Sequence, residues 1–86
     1  MLNQAELNFY GYNPQNIIQR SARGRVSCVC RYDGESKQYI VTRRTPRTVW
    51  NERTQDRQTA INIFYNFLYH TKDELYDLVR LGRLSE

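Results

Sequence analysis

The sequence predicts an α+β fold, in which a small three-stranded antiparallel sheet is covered on one face by helices in the order α-β-β-β-α-α. Residues 25–32 and 38–44 alternate between apolar and polar side chains, and Asp33-Gly34 between them is a strong turn signal. These two observations predict a β-hairpin. A third observation predicts a long helix, because an apolar stripe with helical spacing follows later in the chain. The stripe consists of Ala60, Phe64, Phe67 and Leu68.

The first predicted helix covers residues 14–22. Asn13 is a good N-cap residue, and Pro14 suits the first helical position. Gly24 can end the helix in the left-handed conformation. Residues 1–12 are expected to form a short strand or an ordered arm. A chain of 86 residues is expected to make one compact domain, residues 1–86.

The predicted hairpin sorts its side chains onto two faces. Every plausible register places Val26, Cys28 and Cys30 on the same face as Tyr39 and Val41. This face is apolar enough to be core, so the helices are expected to cover it. The opposite face is expected to stay open or to meet a partner. It collects Arg25, Ser27, Val29, Arg31, Gln38, Ile40, Thr42 and Arg44.

A third strand is predicted over residues 47–53, directly after Pro46, where a missing N–H does little harm. The long helix is then predicted over residues 55–70, with Thr54 or Asp56 at its start. These elements complete the predicted sheet and the first of the two helices that cover it.

A final helix is predicted over residues 72–81. Thr71 followed by Glu74 has the spacing of a capping box, and Gly82 can end the helix. The side chains expected to face inward are Leu75, Leu78 and Val79.

The chain contains two cysteines, Cys28 and Cys30, one residue apart. On a strand both point to the same face, and a bridge between them would need unusual geometry. Half of a metal site is the alternative, but zinc needs three or four ligands, and His70 is the only histidine. We therefore expect two reduced, buried thiols, which fits a cytoplasmic location.

Positive charge is concentrated in the middle of the sequence. The chain has thirteen basic and nine acidic residues, and residues 20–58 hold ten of the bases and four of the acids. Eleven of the thirteen bases are arginine. Arginine presents a planar fork of donors that binds phosphate or carboxylate in a bidentate way, which lysine cannot do.

The segment 42–59, TRRTPRTVWNERTQDRQT, contains the densest group of arginines. If Arg53 and Arg57 both lie in the first turn of the long helix they share one face, and the helix N-terminus would favour an anion. The only tryptophan, Trp50, could stack on a base or an arginine, but a core position is favoured over both. The predicted binding residues are Arg25, Arg31, Arg43, Arg44, Arg47, Arg53, Arg57 and Trp50.

Catalytic patterns are not evident. His70 has no serine or cysteine motif beside it, and a position near a helix end is the favoured explanation. The pairs Asp33/Glu35 and Glu52/Asp56 are expected to form turns or to pair with arginine, and no glycine-rich phosphate loop is present. We expect a protein that is not an enzyme and that needs no cofactor, metal or small-molecule substrate.

The predicted layout resembles compact sheet-plus-helix DNA-binding domains, such as the plant AP2 type and the integrase arm-binding type. It resembles double-stranded RNA-binding domains equally well. The resemblance rests on element order alone, since no signature sequence of these families is present.

Three functions fit these features. The first is a module that binds nucleic acid, DNA or RNA, through its arginines. The second, which fits nearly as well, is a small phage-type inhibitor or adaptor that binds an acidic surface of a host nuclease, CRISPR complex or polymerase, with tyrosines as anchors. The third is a structural subunit of a larger assembly. No membrane partner is expected, because no apolar stretch approaches the roughly 20 residues that span a bilayer.

Overall fold

A computed structural model describes residues 16–86 of the chain. These residues form one four-stranded antiparallel sheet, in the order β1-β2-β3-β4, followed by two helices. The strands are β1 (Ile17–Arg23), β2 (Val26–Asp33), β3 (Gln38–Arg44) and β4 (Val49–Thr54), and the helices are α1 (Arg57–Tyr69) and α2 (Lys72–Arg80). The predicted α+β class is confirmed. The prediction of three strands after a leading helix is wrong.

The predicted helix over residues 14–22 is replaced by β1 from Ile17 onward. Asn13, Pro14 and the predicted arm over residues 1–12 lie outside the described residues. Gly24 does adopt the left-handed conformation, with φ of 60°, but in the two-residue turn between β1 and β2. A hairpin turn and a helix end both favour glycine at positive φ, so the local signal suited either structure. Pairing with β2 decides between them.

With a strand in place of the leading helix, the described residues no longer share the element order on which the resemblance to DNA- and RNA-binding domains depended. The other boundaries move little. The strand predicted over 47–53 is β4, and the helix predicted over 55–70 is α1.

The predicted two faces of the hairpin are confirmed by its register. Cys30 pairs with Val41 and Tyr32 pairs with Tyr39, so these side chains share one face. Both helices pack on this face. Its buried residues form one core cluster, made of Cys28, Cys30, Val41, Ala60, Ile63, Phe64, Phe67, Leu68 and Leu75.

Helix α1 begins at the N-cap residue Asp56, whose carboxylate accepts a hydrogen bond from the backbone N–H of Thr59 at 2.8 Å. Two asparagines interrupt its apolar sequence for a structural reason. Asn62 donates to the carbonyl of Ser85 at 2.9 Å, and Asn66 donates to that of Leu84 at 2.6 Å. The C-terminal segment is therefore held against α1 by side-chain amides.

Helix α2 has the predicted capping box between Thr71 and Glu74. Gly82, with φ of 71°, ends it in a Schellman motif, because its N–H bonds to the carbonyl of Val79 and the N–H of Arg83 bonds to that of Leu78. The prediction that Val79 faces inward is wrong, since 46% of it is exposed. The sequence pattern predicted that three apolar side chains of α2 are buried. In this nine-residue helix only Leu75 is fully buried.

The two cysteines are free thiols buried on the core face, as expected. Burial raises the pKa of the Cys28 thiol to about 11, and the positive charge of Arg43 opposes the shift. Burial also raises the pKa of Cys30, against the effect of Arg57. Since the thiolate is the reactive form, the raised pKa values lower the reactivity of both thiols at neutral pH.

Truncation of the core at Phe64→Ala should lower the free energy of unfolding by roughly 3–5 kcal/mol, because the ring is fully buried between the helices and the sheet. Urea denaturation followed by circular dichroism measures this change. A Tyr65→Ala control removes a neighbouring, exposed ring and should cost clearly less. Equal midpoints for the two variants would contradict this packing.

The raised pKa of Cys28 predicts a loss of stability at alkaline pH. In the unfolded chain the thiol ionises near pH 9, whereas in the folded protein it stays protonated to about 11. Its contribution to stability is therefore complete below about pH 9 and is lost as the pH rises towards 11. A Cys28→Ala variant should show a smaller decline of the urea midpoint between pH 8 and pH 11 than the wild type, and an equal decline would contradict the assignment.

Candidate anion-binding surface

The sheet surface opposite the helices carries one arginine from every strand, and we call these four residues the basic face. Its members are Arg20 of β1, Arg31 of β2, Arg44 of β3 and Arg53 of β4. The register orders them in rows across the sheet. Arg31 and Arg53 flank Ile40 in one row, which places their Cα atoms two strands apart, roughly 10 Å.

Acidic residues are absent from the paired rows that hold the basic face. The register gives these rows as Ala22-Ser27-Arg44-Val49, Arg20-Val29-Thr42-Asn51 and Arg31-Ile40-Arg53. The next row contains Asp33, whose carboxylate accepts hydrogen bonds from the Ser36 hydroxyl at 2.7 Å and the Glu35 N–H at 3.3 Å. These bonds, with a smaller effect of Arg31, lower the pKa of Asp33. Asp33 is thus a turn former, as predicted.

The centre of this surface is not open, contrary to the prediction for the hairpin. Val29, Ile40 and Thr42 are buried although α1 and α2 both pack on the other side of the sheet, and only 2% of Ile40 is exposed. The Thr42 hydroxyl donates to Asn51 Oδ1 at 2.6 Å across β3 and β4. Arg20 and Arg53, on the two outer strands, are exposed, whereas Arg31 and Arg44 are half-buried.

Two further arginines extend the positive charge at one end of the sheet, and we call Arg25 and Arg47 the basic rim. Arg25 occupies the β1–β2 turn and Arg47 the β3–β4 loop, and both are exposed. In an antiparallel sheet of this order the two connections leave from the same end. The β3–β4 loop is held by Thr45 and Thr48, whose hydroxyl oxygens are 2.7 Å apart. The structure therefore places the rim beside the row that contains Arg44.

Arg43 does not belong to this surface, which corrects its predicted binding role. Its side chain points to the core face, where only 5% of the residue is exposed, and its Nε donates to the carbonyl of Phe67 at 3.1 Å. None of the ion pairs within residues 16–86 involves it. The reason is the period of two in a strand: Arg43 and Arg44 cannot point the same way.

Arg57 also lies apart from the basic face. It is the first residue of α1, while Arg53 lies in β4, so the two do not share a helix face as the sequence suggested. The N-terminus of α1 is already capped by the Asp56 carboxylate. The hydrogen bonds from Thr59 lower the pKa of Asp56. Because this carboxylate already lies at the positive end of the helix dipole, the dipole adds little attraction for a second anion.

Trp50 is half-buried on the helix side of the sheet, so the favoured core position is confirmed and the stacking role is not supported. Its ring packs against those of Phe67 and Tyr76, each with a centroid distance of 5.3 Å. Its indole N–H donates to Glu52 Oε1 at 2.9 Å. Glu52 therefore has a structural partner, although this partner is the tryptophan and not the turn or arginine expected for the pair Glu52/Asp56.

Two arginines of β1 were missed because their segment was predicted as a helix. Arg20 completes the basic face. Its side chain could have been assigned to this face only if residues 17–23 had been predicted as a strand, in which side chains alternate between the two faces. Arg23 lies on the other face of β1, where its guanidinium covers the Tyr69 ring at 5.2 Å and donates to the Tyr69 carbonyl at 3.5 Å. The Ile17-Ile18 pair and Gly24 are the local features that also suit a strand and its turn.

Two further titratable residues, His70 and Glu74, lie at helix ends. His70 is the C-cap residue of α1, 3.7 Å from the Glu74 carboxylate, as the helix-end explanation predicts. The hydrogen bonds of the capping box at Thr71, with a smaller effect of His70, lower the pKa of Glu74. Within residues 16–86, no three side chains of His, Cys, Asp or Glu are placed to hold a metal ion.

Comparisons of the chain with protein-family models, curated proteins and solved structures find no match. In the part of the chain that the structure describes, no helix has the length and apolar character needed to cross a membrane. The site is therefore interpreted from its own geometry. That geometry brings Arg31, Arg44 and Arg53 together with Arg20, adds Arg25 and Arg47 at the rim, and separates Arg43, Arg57 and Trp50 from them.

Arg43→Ala should destabilise the fold, whereas Arg47→Ala should not. The first variant removes a buried hydrogen bond to a charged donor, worth about 1.5–3 kcal/mol, and the packing of a long side chain. The second removes an exposed loop side chain and should change stability by no more than about 0.5 kcal/mol. Urea midpoints of the two variants measure the difference, and similar midpoints would show that Arg43 is not structural.

Proposed function

We propose that the protein is a non-catalytic module that binds the phosphate backbone of a nucleic acid through its basic face and basic rim. The observation that carries the proposal is the regular placement of one arginine per strand in rows of the sheet that, within residues 16–86, contain no acidic residue. An array of this kind contacts several phosphates at once, and each contact releases condensed counterions. The forked guanidinium suits phosphate oxygens better than a lysine ammonium would.

The distribution of charge supports the same conclusion. Six arginines occupy the basic face and the basic rim, while six of the eight acidic residues within residues 16–86 lie in turns, at a helix start, in α2 or at the C-terminus. Those six are Glu35, Asp56, Asp73, Glu74, Asp77 and Glu86, and the other two are Asp33 at the end of β2 and Glu52 in β4. Separation of this kind orients the molecule towards a polyanion before contact and speeds association. Between the arginines, Thr42 and Asn51 are joined by a hydrogen bond that links β3 to β4, the strands that carry Arg44 and Arg53.

Salt dependence measures the proposed contacts directly. With four to six phosphate contacts, the log of the affinity for a 20-bp DNA duplex should fall against the log of salt concentration with a slope of roughly −3.5 to −5.5. The double variant Arg20→Gln, Arg53→Gln removes the two exposed contacts on the outer strands and should make the slope less steep by about 1.8.

A matched control is Arg80→Gln with Arg83→Gln, which lowers the net charge equally. These arginines lie at the C-terminal end of α2 and beyond it, and they pair locally with Asp77 and Glu86. The control should keep the wild-type slope. A flat salt response, or equal losses in the two double variants, would overturn the proposal and leave an acidic protein surface as the fitting partner, because carboxylates match the same fork.

A further inference from the structure

Two tyrosines, a glutamine and an arginine form a second group of side chains at the outer edge of β1. Tyr65 and Tyr69 of α1 are 43% and 57% exposed, and their rings are nearly parallel with a centroid distance of 6.3 Å. Gln19 Nε2 of β1 donates to the Tyr65 hydroxyl at 2.7 Å, and Arg23 of β1 lies over the Tyr69 ring. We call these four residues the tyrosine edge.

The tyrosine edge is organised before any partner arrives. A hydrogen bond from Gln19 holds Tyr65, whose ring also makes a T-shaped contact with Phe64 at a centroid distance of 5.4 Å. Tyr69 is held by its contacts with the Tyr65 ring and the Arg23 guanidinium. Aromatic rings that are held in place lose little conformational entropy on binding. A planar group of a partner can therefore stack on these rings at a low entropic cost.

Charge at this edge selects the kind of partner. Strand β1 and helix α1 contain Arg20, Arg23 and Arg57 and no acidic residue, and the adjoining turn adds Arg25. Tyr76, which stacks on Trp50 at the opposite edge, lies instead in α2, which carries three acidic and two basic residues, and Lys72 Nζ is 5.8 Å from the centroid of its ring. The net charge is positive around the first tyrosine group and slightly negative around the second, so a polyanion is attracted more strongly to the first.

The tyrosine edge is continuous with the basic face. Among the described strands β1 is an outer strand, and Arg20 and Arg23 lie three residues apart on it, about 10 Å, with side chains on opposite faces. A nucleic acid that contacts the basic face would have to bend around the β1 edge of the sheet to reach the tyrosines. Duplex DNA, which stays stiff over about 50 nm, cannot make that turn, whereas a single strand can.

We infer that the protein prefers single-stranded nucleic acid, whose phosphates lie on the basic face and whose bases stack on Tyr65 and Tyr69. This inference rests on the proposed function and names its substrate class. A positively charged track combined with aromatic side chains is the general design of sequence-tolerant single-strand binding. Tyr69 provides the more exposed ring, and Arg23 provides both its support and a positive charge next to the backbone.

The experiment compares two probes with equal phosphate charge: a 20-nucleotide thymidine oligomer and a 20-nucleotide oligomer of abasic residues. Fluorescence anisotropy should give the wild type an affinity for the thymidine oligomer at least about tenfold higher, since stacking adds to the phosphate contacts. Tyr65→Leu with Tyr69→Leu should abolish this preference. Tyr65→Phe with Tyr69→Phe keeps the rings and should retain it, as should Tyr76→Leu at the opposite edge.

The outcomes separate this inference from the proposed function. Equal, salt-dependent binding of both oligomers by the wild type would overturn the inference and leave phosphate binding intact. A preference that survives the leucine substitutions would overturn it too and would assign the tyrosine edge to contacts with a protein. Failure of the wild type to bind either oligomer or the duplex would overturn both. The wild-type comparison needs no variant, so a leucine variant that fails to fold does not obscure the result.

Discussion

The buried guanidinium of Arg43 joins the sheet to the last turn of α1, and the placement of the other arginines depends on it. Its Nε donates to the Phe67 carbonyl, one of the helix-end carbonyls that have no partner within the helix. The C-terminal end of a helix carries partial negative charge, which favours a cation there. Because neighbouring residues in a strand point to opposite faces, an inward Arg43 requires an outward Arg44. The same alternation directs Arg31 and Arg53 outward through the register with β2 and β4.

Arginine has two roles in this molecule, and the surroundings of each side chain separate them. Arg43 and Arg23 bond to backbone carbonyls of α1 and contribute to the position of the helix on the sheet. The arginines of the basic face and the basic rim project from the other side of the sheet and from its loops, away from the helix layer. The number of arginines in the segment 42–59 therefore overstates the number available to a partner, because Arg43 binds a carbonyl at the end of α1.

Polar residues on the helix side of the sheet also stabilise the fold. Asn62 and Asn66 hold the C-terminal segment, Asp56 caps α1, and Glu52 accepts from Trp50. Burial keeps the thiols of the core protonated. Within residues 16–86, the positively charged groups that these structural contacts leave are the basic face, with its exposed outer arginines Arg20 and Arg53, the basic rim and, around β1, the tyrosine edge. The proposed functions depend on these surfaces for that reason.

The sequence by itself determined the α+β class, the β2–β3 hairpin with its two faces, the apolar stripe of α1, the capping box of α2 and the burial of both cysteines. These features depend on local periodicity, turn chemistry and capping, which neighbouring residues encode. Of the eight predicted binding residues, Arg25, Arg31, Arg44, Arg47 and Arg53 lie on the surface that the structure assembles. The directions of Arg31 and Arg44 followed from alternation within the correctly predicted hairpin, whereas Arg25 and Arg47 lie in connections between strands and Arg53 was expected at the start of the helix.

Only the tertiary structure decided the first strand, the helix-end carbonyl that Arg43 binds and the separation of Arg57 from the basic face. Residues 17–23 suit a helix or a strand locally, and their pairing with β2 makes them a strand. That change brings Arg20 to the basic face and Arg23 to Tyr69, forty-six residues away in the sequence. The physical reason is that a strand is stabilised by hydrogen bonds and side-chain contacts with another segment, so where the local residues suit a helix equally well, as in residues 17–23, the pairing decides.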